Sequence, residues 1–210
     1  TLLGLAPLPL VLSFPYQYWC AMRLETSLYS LLLLLAPALF LAEEERRTRS
    51  RWPSALAYLA LALTRPEGGI FIIVPLGFLL ARLVTGEGPR VLVKERWLWL
   101  SLFAGGMALF LTFRLVYFGE LLPNTFYAKM VGSYGASWGF FYLERFLVER
   151  PYHLVLFLLP LILGGTRSAA GLLFMGTTLT LAMVAVLAGG DWMREYRLLI
   201  PATPLLAATL

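Results

Sequence analysis

The sequence predicts an all-α protein, a polytopic transmembrane helix bundle with short broken helices and an external interfacial amphipathic helix. Three observations predict it. Hydrophobic residues make up 60% of the 210 residues and charged residues only 14%, where a soluble domain carries about 25% charged residues. The mean hydropathy is +0.77, and the apolar residues gather into runs of helical length. One such run is broken near its middle by Thr64-Arg65-Pro66-Glu67-Gly68-Gly69, a cation, an anion and helix-stopping residues where a membrane segment should be most apolar.

Composition also removes several function classes. The net charge of +5 and pI near 9.6 would suit nucleic acid, but the basic residues lie scattered in short stretches between apolar runs. The flanks of membrane helices explain that placement better, so no nucleic-acid partner is expected. Cys20 is the only cysteine and His153 the only histidine. That excludes an intrachain disulfide and any zinc site of ordinary spacing. His153 follows Pro151-Tyr152 at the start of an apolar helix, where an interfacial role is expected rather than catalysis.

Eight apolar segments follow in order: Leu2–Phe14, Leu24–Ala42, Trp52–Thr64, Gly68–Val84, Trp97–Phe118, Tyr152–Gly164, Ala169–Leu187 and Leu198–Leu210. The chain starts and stops inside apolar stretches, without an initiator Met or a charged leader. The expectation is a partial transmembrane domain over residues 1–210, with an external loop at 119–151, from a larger protein lacking at least its N-terminal portion. The connections Glu43–Arg51, Thr85–Arg96 and Gly165–Ser168 are short or charged, with no site-like clustering. The connections on the other side carry the aromatics, prolines and polar islands. Lys and Arg divide nine to eight between the two sides, a margin that strengthens when only residues close to apolar ends in short loops are counted. By the positive-inside rule the first side is cytoplasmic and the islands face the exterior.

Length arithmetic bears on the break. At 1.5 Å per residue Trp52–Thr64 reaches about 20 Å and Gly68–Val84 about 25 Å, against a hydrocarbon core of about 30 Å. Arg65 and Glu67 are then expected below the outer surface, lining a cavity open to the outside, because irregular backbone at that depth must be buried in protein or face water. The alternative is that the two charges satisfy each other at a tight turn.

The second island is Leu121–Lys129. Asn124 is the only asparagine, and Lys129 is one of two lysines. Pro123 fixes a turn, and Asn124 or Thr125 can cap the next helix. Lys129 either reaches a phosphate as a point charge or snorkels to the headgroups. Ser133–Arg150 then sets Trp138, Phe140, Phe141, Tyr142 and Phe146 beside Glu144, Arg145, Glu149 and Arg150, the pattern of an interfacial amphipathic helix. The third island, Gly189–Arg197, holds Asp191, the only aspartate. Its two glycines are expected to end one helix and Asp191 to cap the next. On that helix Arg194 and Glu195 would lie at i+3 and i+4, with Arg197 one turn beyond Arg194. Two arginines one turn apart suit a phosphate or phosphodiester, since each presents a planar fork of donors.

Arg23-Leu-Glu-Thr-Ser-Leu before a helix, then Leu-Thr-Arg-Pro-Glu-Gly, Leu-Leu-Pro-Asn-Thr-Phe-Tyr-Ala-Lys, and Gly-Gly-Asp-Trp-Met with Tyr-Arg and Pro201, resemble motifs of bacterial GT-C-type membrane glycosyltransferases. The resemblance is nearest to the branch holding the mycobacterial terminal arabinofuranosyltransferases and related mannosyltransferases, and it covers nearly the whole chain. It implies a multi-pass enzyme of the bacterial inner (plasma) membrane, with its site facing the periplasm or exterior. The enzyme would transfer a sugar, with inversion, from a polyprenyl-phosphate-linked donor to an extracytoplasmic glycan, lipid or protein acceptor. Such families keep a catalytic carboxylate in the first external loop, upstream of Thr1, so this chain alone is expected to lack its main general base.

The residues present fit that chemistry. A departing polyprenyl phosphate is anionic, and preorganised cations stabilise it. Arg65, Lys129, Arg194 and Arg197 are the phosphate candidates, Lys129 and Arg197 first among them. Asp191 is the reserve general base. Glu67, Asn124, Tyr127 and Glu25 are expected to bind sugar hydroxyls or orient the arginines, although Glu25 serves equally as a first-turn dipole partner. No cofactor and no metal site is expected, because a monophosphate donor needs no metal in principle; the partners are membrane lipid, donor and acceptor. A transporter or lipid flippase is the alternative, since broken, charged helices also bind transported substrates. A noncatalytic scaffold would need only packing.

Overall fold

A computed structural model describes residues 8–22, 25–46, 52–84, 89–121, 135–191 and 193–209, the side chains of 89–95, 163 and 166 excepted. Among the described residues every element is helical: α1 (Leu8–Leu12), α2 (Phe14–Ala21), α3 (Thr26–Arg46), α4 (Trp52–Thr64), a 3-10 helix (Pro66–Ile72), α5 (Ile73–Val84), α6 (Pro89–Phe118), α7 (Gly135–Glu149), α8 (Tyr152–Leu163), a short 3-10 turn (Gly165–Arg167), α9 (Ala169–Leu187), a second such turn (Arg194–Tyr196) and α10 (Ala202–Ala207). Four helical runs among the described residues are long and apolar enough to cross a membrane: Thr26–Arg46, Pro66–Val84, Arg96–Phe118 and Ala169–Leu187. The other apolar segments fall short. Trp52–Thr64 and Tyr152–Leu163 form helices of 13 and 12 residues. The described part of Leu2–Phe14 is interrupted at Ser13, whose hydroxyl accepts from the Tyr16 amide, and Leu198–Leu210 contributes only the six-residue α10.

The chain gathers into two compact units, Thr1–Leu34 with Ser133–Leu210, and Leu35–Gly132, so that α3 contributes to both. In the second unit, α4 is built of alanine and leucine with Pro53 in its first turn, where the missing amide costs no hydrogen bond. Arg65 stops it. The proline at 66 disfavours a helical conformation for the residue before it, and Arg65 is extended at φ −145°, ψ 148°. The 3-10 helix then folds back on the last turns of α4. Gly68 permits this approach, since a β-carbon there would overlap the Leu61 carbonyl.

The returning helical run therefore starts at Pro66 rather than Gly68. With seven 3-10 residues and the twelve of α5 it spans about 30 Å. The length argument that sank Arg65 and Glu67 below the outer surface now applies to α4 alone.

The connections Glu43–Arg51 and Thr85–Arg96, expected to be loops without clustering, are a second correction. α3 runs on through Arg46, and α6 begins at Pro89. Both helix ends enter a buried ion network. Glu43 accepts the Ser54 amide at 2.8 Å and the Ser54 hydroxyl at 2.6 Å. Arg96 reaches the Glu43 carboxylate at 3.1 Å and also pairs with Glu44, which is bridged in turn to Arg82.

Glu43 has the wrong sign for the C-terminal end of α3 but the right sign for the N-terminal end of α4, whose first-turn amide it satisfies. Trp99 closes the chain by donating to Ser54 Oγ at 2.8 Å, while the Arg96 guanidinium lies over the Phe40 ring at 4.3 Å. Phe40, Tyr58 and Phe103 pack around Trp99. Beyond Arg96 and Trp99 no described side chain of α6 is fully buried.

In the first unit the core is Trp19, Phe146, Ala185, Leu198, Leu199 and Ile200. Ser168 caps α9 by accepting from the Gly171 amide at 3.0 Å. Along that helix Thr177, Thr178 and Thr180 return their hydroxyls to carbonyls four residues back, so polar side chains sit satisfied in an apolar run. α7 crosses α9 closely because Gly139 has no side chain; a β-carbon there would overlap the Val186 carbonyl. Trp138, Phe140, Phe141 and Val148 of α7 are exposed, while Phe146 is buried. His153 is buried rather than interfacial. Its Nε2 meets Thr203 Oγ1 at 2.8 Å, its Nδ1 lies 3.3 Å from the Arg150 carbonyl, and its ring packs on Phe146.

Removing one partner of a buried pair strands the other charge, at about 3–5 kcal/mol. Glu43→Ala or Arg96→Ala is expected to destabilise the detergent-solubilised protein by that amount in chemical unfolding. Arg82→Ala, removing a partly exposed partner, should cost about 1 kcal/mol or less. Equal losses for all three would refute the ranking. Gly139→Ala should cost about 1–3 kcal/mol by forcing α7 from α9.

Candidate functional site

Two of the three islands fall on described residues. The second does not: Asn124, Tyr127 and Lys129 lie outside them, as does Trp192.

In the second unit, Arg65 caps the 3-10 helix from its extended conformation and Glu67 lies in the first turn. Arg65 Nη1 and Glu67 Oε1 are 3.8 Å apart, with side-chain exposures of 5% and 25%. The two charges therefore face each other at the turn, and Arg65 is buried in protein. Glu67, the more accessible of the two, is also favoured at a helix N-terminus.

In the first unit, α9 ends in Gly189 and Gly190, both with left-handed backbones (φ 72° and 81°), as the sequence led us to expect. Tyr142 packs so closely on Gly190 that a β-carbon there would meet its ring. Beyond them the expected helix does not form. Asp191 Oδ1 accepts from the Met193 amide at 3.3 Å, two residues on, which makes a local turn. A single 3-10 turn follows, in which Glu195 (φ 58°, ψ 30°) and Tyr196 (φ 52°) are left-handed. Two successive non-glycine residues in that region cost about 1 kcal/mol or more each, so the surroundings must hold them.

They do so from three directions. Trp19 Nε1 donates to the Glu195 carbonyl at 3.2 Å. Arg150 Nη2 donates to the Glu195 carboxylate at 2.7 Å. The Tyr196 ring packs against Tyr142 and Phe146, with centroids 5.3 and 5.4 Å away. The buried run Leu198–Ile200 then anchors the far side of the turn.

This reversal separates the charges that helical spacing had placed on one face. Arg194 is exposed, and Glu195 turns to Arg150. Arg197 turns back, its Nε donating to Asp191 Oδ2 at 2.9 Å and its Nη1 lying 3.7 Å from Glu25 Oε1. The guanidinium is 5.9 Å from the Trp19 ring centroid. Glu25 caps α3, since its carbonyl accepts from the Tyr29 amide at 2.8 Å. The structure thus joins Glu25, Asp191 and Arg197 and leaves Arg194 on the surface.

With two carboxylates in reach, Arg197 is already neutralised. Its cation is a poorer phosphate ligand than spacing implied, and Arg194 is the better presented. Asp191 is likewise engaged through both oxygens, and its side chain has no solvent exposure. It is badly placed to take a proton from a substrate. Trp19, Arg150, Glu195 and Tyr142 were missed as site residues. Trp19 and Arg150 approach the turn from distant parts of the chain, so no local spacing signals them.

The Tyr142 hydroxyl is buried with no hydrogen bond of good geometry, although the Leu198 backbone lies within reach of it. Burial, and then the charge of Asp191, raise its pKa; Tyr196 is pushed up to about 12, chiefly by burial. Neither shift affects stability below the ordinary tyrosine pKa of about 10. Above it the unfolded chain ionises first and stability is lost. No family model, curated protein or solved structure matches this chain. Tyr142→Phe is expected to leave stability at pH 7 within about 1 kcal/mol, because it removes an unsatisfied hydroxyl, and to reduce the loss between pH 9 and 11. Unfolding midpoints across that range measure both, and an unchanged alkaline slope would contradict the assignment.

Proposed function

We propose that the chain belongs to a multi-pass membrane glycosyltransferase. It transfers a sugar, with inversion, from a polyprenyl-phosphate-linked donor to an extracytoplasmic glycan, lipid or protein acceptor. The observation that carries this reading is the convergence of Glu25 with Asp191 and Arg197. These residues come from two of the motifs that resemble GT-C-type enzymes and lie at opposite ends of the chain. A chance likeness in sequence gives no reason for the two motifs to meet.

Four helices of spanning length support a membrane location, and the exposure of α6 suits a helix that faces lipid. The exposed aromatics of α7 suit the headgroup layer. The ends of α3 and α5 and the starts of α4 and α6 share one ion network. That supports a common side for these ends, taken as cytoplasmic, with the islands toward the periplasm or exterior of a bacterial inner membrane.

In the reaction the acceptor oxygen attacks the anomeric carbon as the bond to the phosphate breaks, and the electron pair leaves on polyprenyl phosphate. Arg65, Lys129 and Arg194 are the cations assigned to that developing charge. Asp191 and Arg197 organise the sugar side. One observation favours a transporter or lipid flippase instead: buried charges such as Glu43 and Arg96 also line transport pathways.

A radiolabelled polyprenyl-phosphate-sugar assay on the full-length protein in proteoliposomes separates the two. Labelled acceptor with release of polyprenyl phosphate is expected. Counterflow without bond cleavage would establish transport instead. Arg65→Ala, Lys129→Ala and Asp191→Ala should each lower transfer by about 100-fold or more with expression intact. Near-normal turnover in all three would sink the site.

A further inference from the structure

In the second unit, α6 carries an arginine whose charge no ion pair accounts for. Arg65, Arg82, Arg96, Arg145, Arg150 and Arg197 each have a carboxylate within 4.0 Å. Arg114 makes no ion pair with a described residue, not even with Glu120, the nearest carboxylate along the chain. Its Nε donates instead to the Leu121 carbonyl at 2.8 Å. Its guanidinium lies beside the rings of Phe110 and Phe118, 5.9 and 5.4 Å from their centroids. Gly119 sets up the Leu121 bond. Its left-handed backbone (φ 73°) ends α6, its amide returns to the Leu115 carbonyl at 3.0 Å, and the chain can then turn back. With Nε committed, Nη1 and Nη2 make no hydrogen bond to a described residue. Together they are the fork of donors that matches a phosphate.

Two measures place this cation at a membrane boundary. Arg96 is fixed beside the end of α3 by its ion network. Arg114 stands eighteen residues further along the same helix, about 27 Å at 1.5 Å per residue, against a hydrocarbon core of about 30 Å. Trp97 and Tyr117, both exposed, lie twenty residues or about 30 Å apart. Trp and Tyr gather at the two surfaces of a bilayer, so α6 carries one such residue near each end. Arg114 is within a turn of the second. An arginine at that depth extends its head to the headgroup layer, where the abundant anion is the phosphate of a lipid.

We propose that Arg114 is a binding site for the phosphate of a membrane phospholipid, in the leaflet opposite Arg96. Nη1 and Nη2 donate to two phosphate oxygens. The Leu121 carbonyl holds Nε, so the fork is ordered before the lipid arrives. The exposed Phe118 ring offers the acyl chain an apolar contact. The occupant is a bulk phospholipid rather than a reacting sugar donor. A donor needs walls that exclude water, and beyond Arg96 and Trp99 no described side chain of α6 is fully buried. The partial negative charge at the end of α6 opposes an anion, so the preference is modest. The proposal rests on the membrane-spanning reading of α6 and not on sugar transfer.

Phenylglyoxal, which modifies accessible guanidiniums, tests this on the full-length protein in neutral maltoside micelles, with modification of Arg114 followed by mass spectrometry. The probes are phosphatidylglycerol, diacylglycerol with the same chains, decaprenyl phosphate and inorganic phosphate. At saturation phosphatidylglycerol should slow modification of Arg114 about tenfold, the weight of one charged hydrogen bond. Diacylglycerol and inorganic phosphate should not. No slowing by phosphatidylglycerol, or equal slowing by either of those two controls, would overturn the site. Slowing by decaprenyl phosphate at a lower concentration than phosphatidylglycerol would overturn the choice of occupant.

Arg114→Gln removes the charge and the fork. On native mass spectrometry it should retain one phosphatidylglycerol fewer per protein than the wild type, with diacylglycerol retention unchanged. Its thermal midpoint in lipid-free micelles should stay within a few degrees, because no carboxylate is stranded. Arg114→Lys keeps the charge without the fork and should restore only part of the retention. Unchanged retention in Arg114→Gln, or equal loss of diacylglycerol, would overturn the proposal. Neither readout involves sugar transfer. A protein that protects Arg114 but transfers nothing would sink the glycosyltransferase reading and leave this site standing.

Discussion

The Asp191 side chain has no contact with solvent, and Arg197 is the cation that makes this tolerable. A carboxylate removed from water costs several kcal/mol unless it is paired and hydrogen-bonded. Here one oxygen takes the Arg197 Nε proton at 2.9 Å and the other the Met193 amide at 3.3 Å. Meeting both demands requires the chain to reverse between residues 193 and 197, which it does through Glu195 and Tyr196 in left-handed conformations. The strain of that reversal is carried by Trp19, Arg150 and the rings of Tyr142 and Phe146. The same reversal brings Leu198, Leu199 and Ile200 into the core of the first unit.

The second unit meets the same constraint differently. Glu43 and Arg96 are both buried, but their network is closed by Ser54, Trp99, Glu44 and Arg82. Among the described residues, its two carboxylates and two guanidiniums balance in charge. It pins helix ends together, which accounts for two of the three glutamates at the end of α3, Glu43 and Glu44, where the helix dipole disfavours them. In the first unit Arg197 pairs with Asp191, whose side chain is fully buried, and with the partly exposed Glu25.

Much of the architecture was legible in the sequence because it follows from local chemistry. The helix at Trp52–Thr64 ends where Pro66 forces Arg65 out of the helical region. The glycines at 189 and 190 end α9 because they adopt positive φ without strain. Alanine- and leucine-rich runs became helices, and four have the length and hydropathy to cross a membrane. The loop readings of Glu43–Arg51 and Thr85–Arg96 were less successful, since charged residues continue a helix readily when a partner from another helix neutralises them. His153 was misjudged for the same reason, because the Thr203 hydroxyl that satisfies it comes from α10.

The sequence by itself determined the helical class, the apolar runs, the breaks between them and the short list of charges worth explaining. These depend on residue types and spacings that act within a turn or two. Tertiary structure alone decided which charges meet. Helical spacing set Arg194 and Arg197 on one face, but the left-handed pair at 195 and 196 turned Arg197 to Asp191 and Glu25 and left Arg194 outside. The energy of a buried charge depends on partners brought from distant segments, and no local pattern encodes them. Glu25 therefore reads as a first-turn dipole partner or a sugar-binding candidate in the sequence and as a partner of Arg197 in the fold.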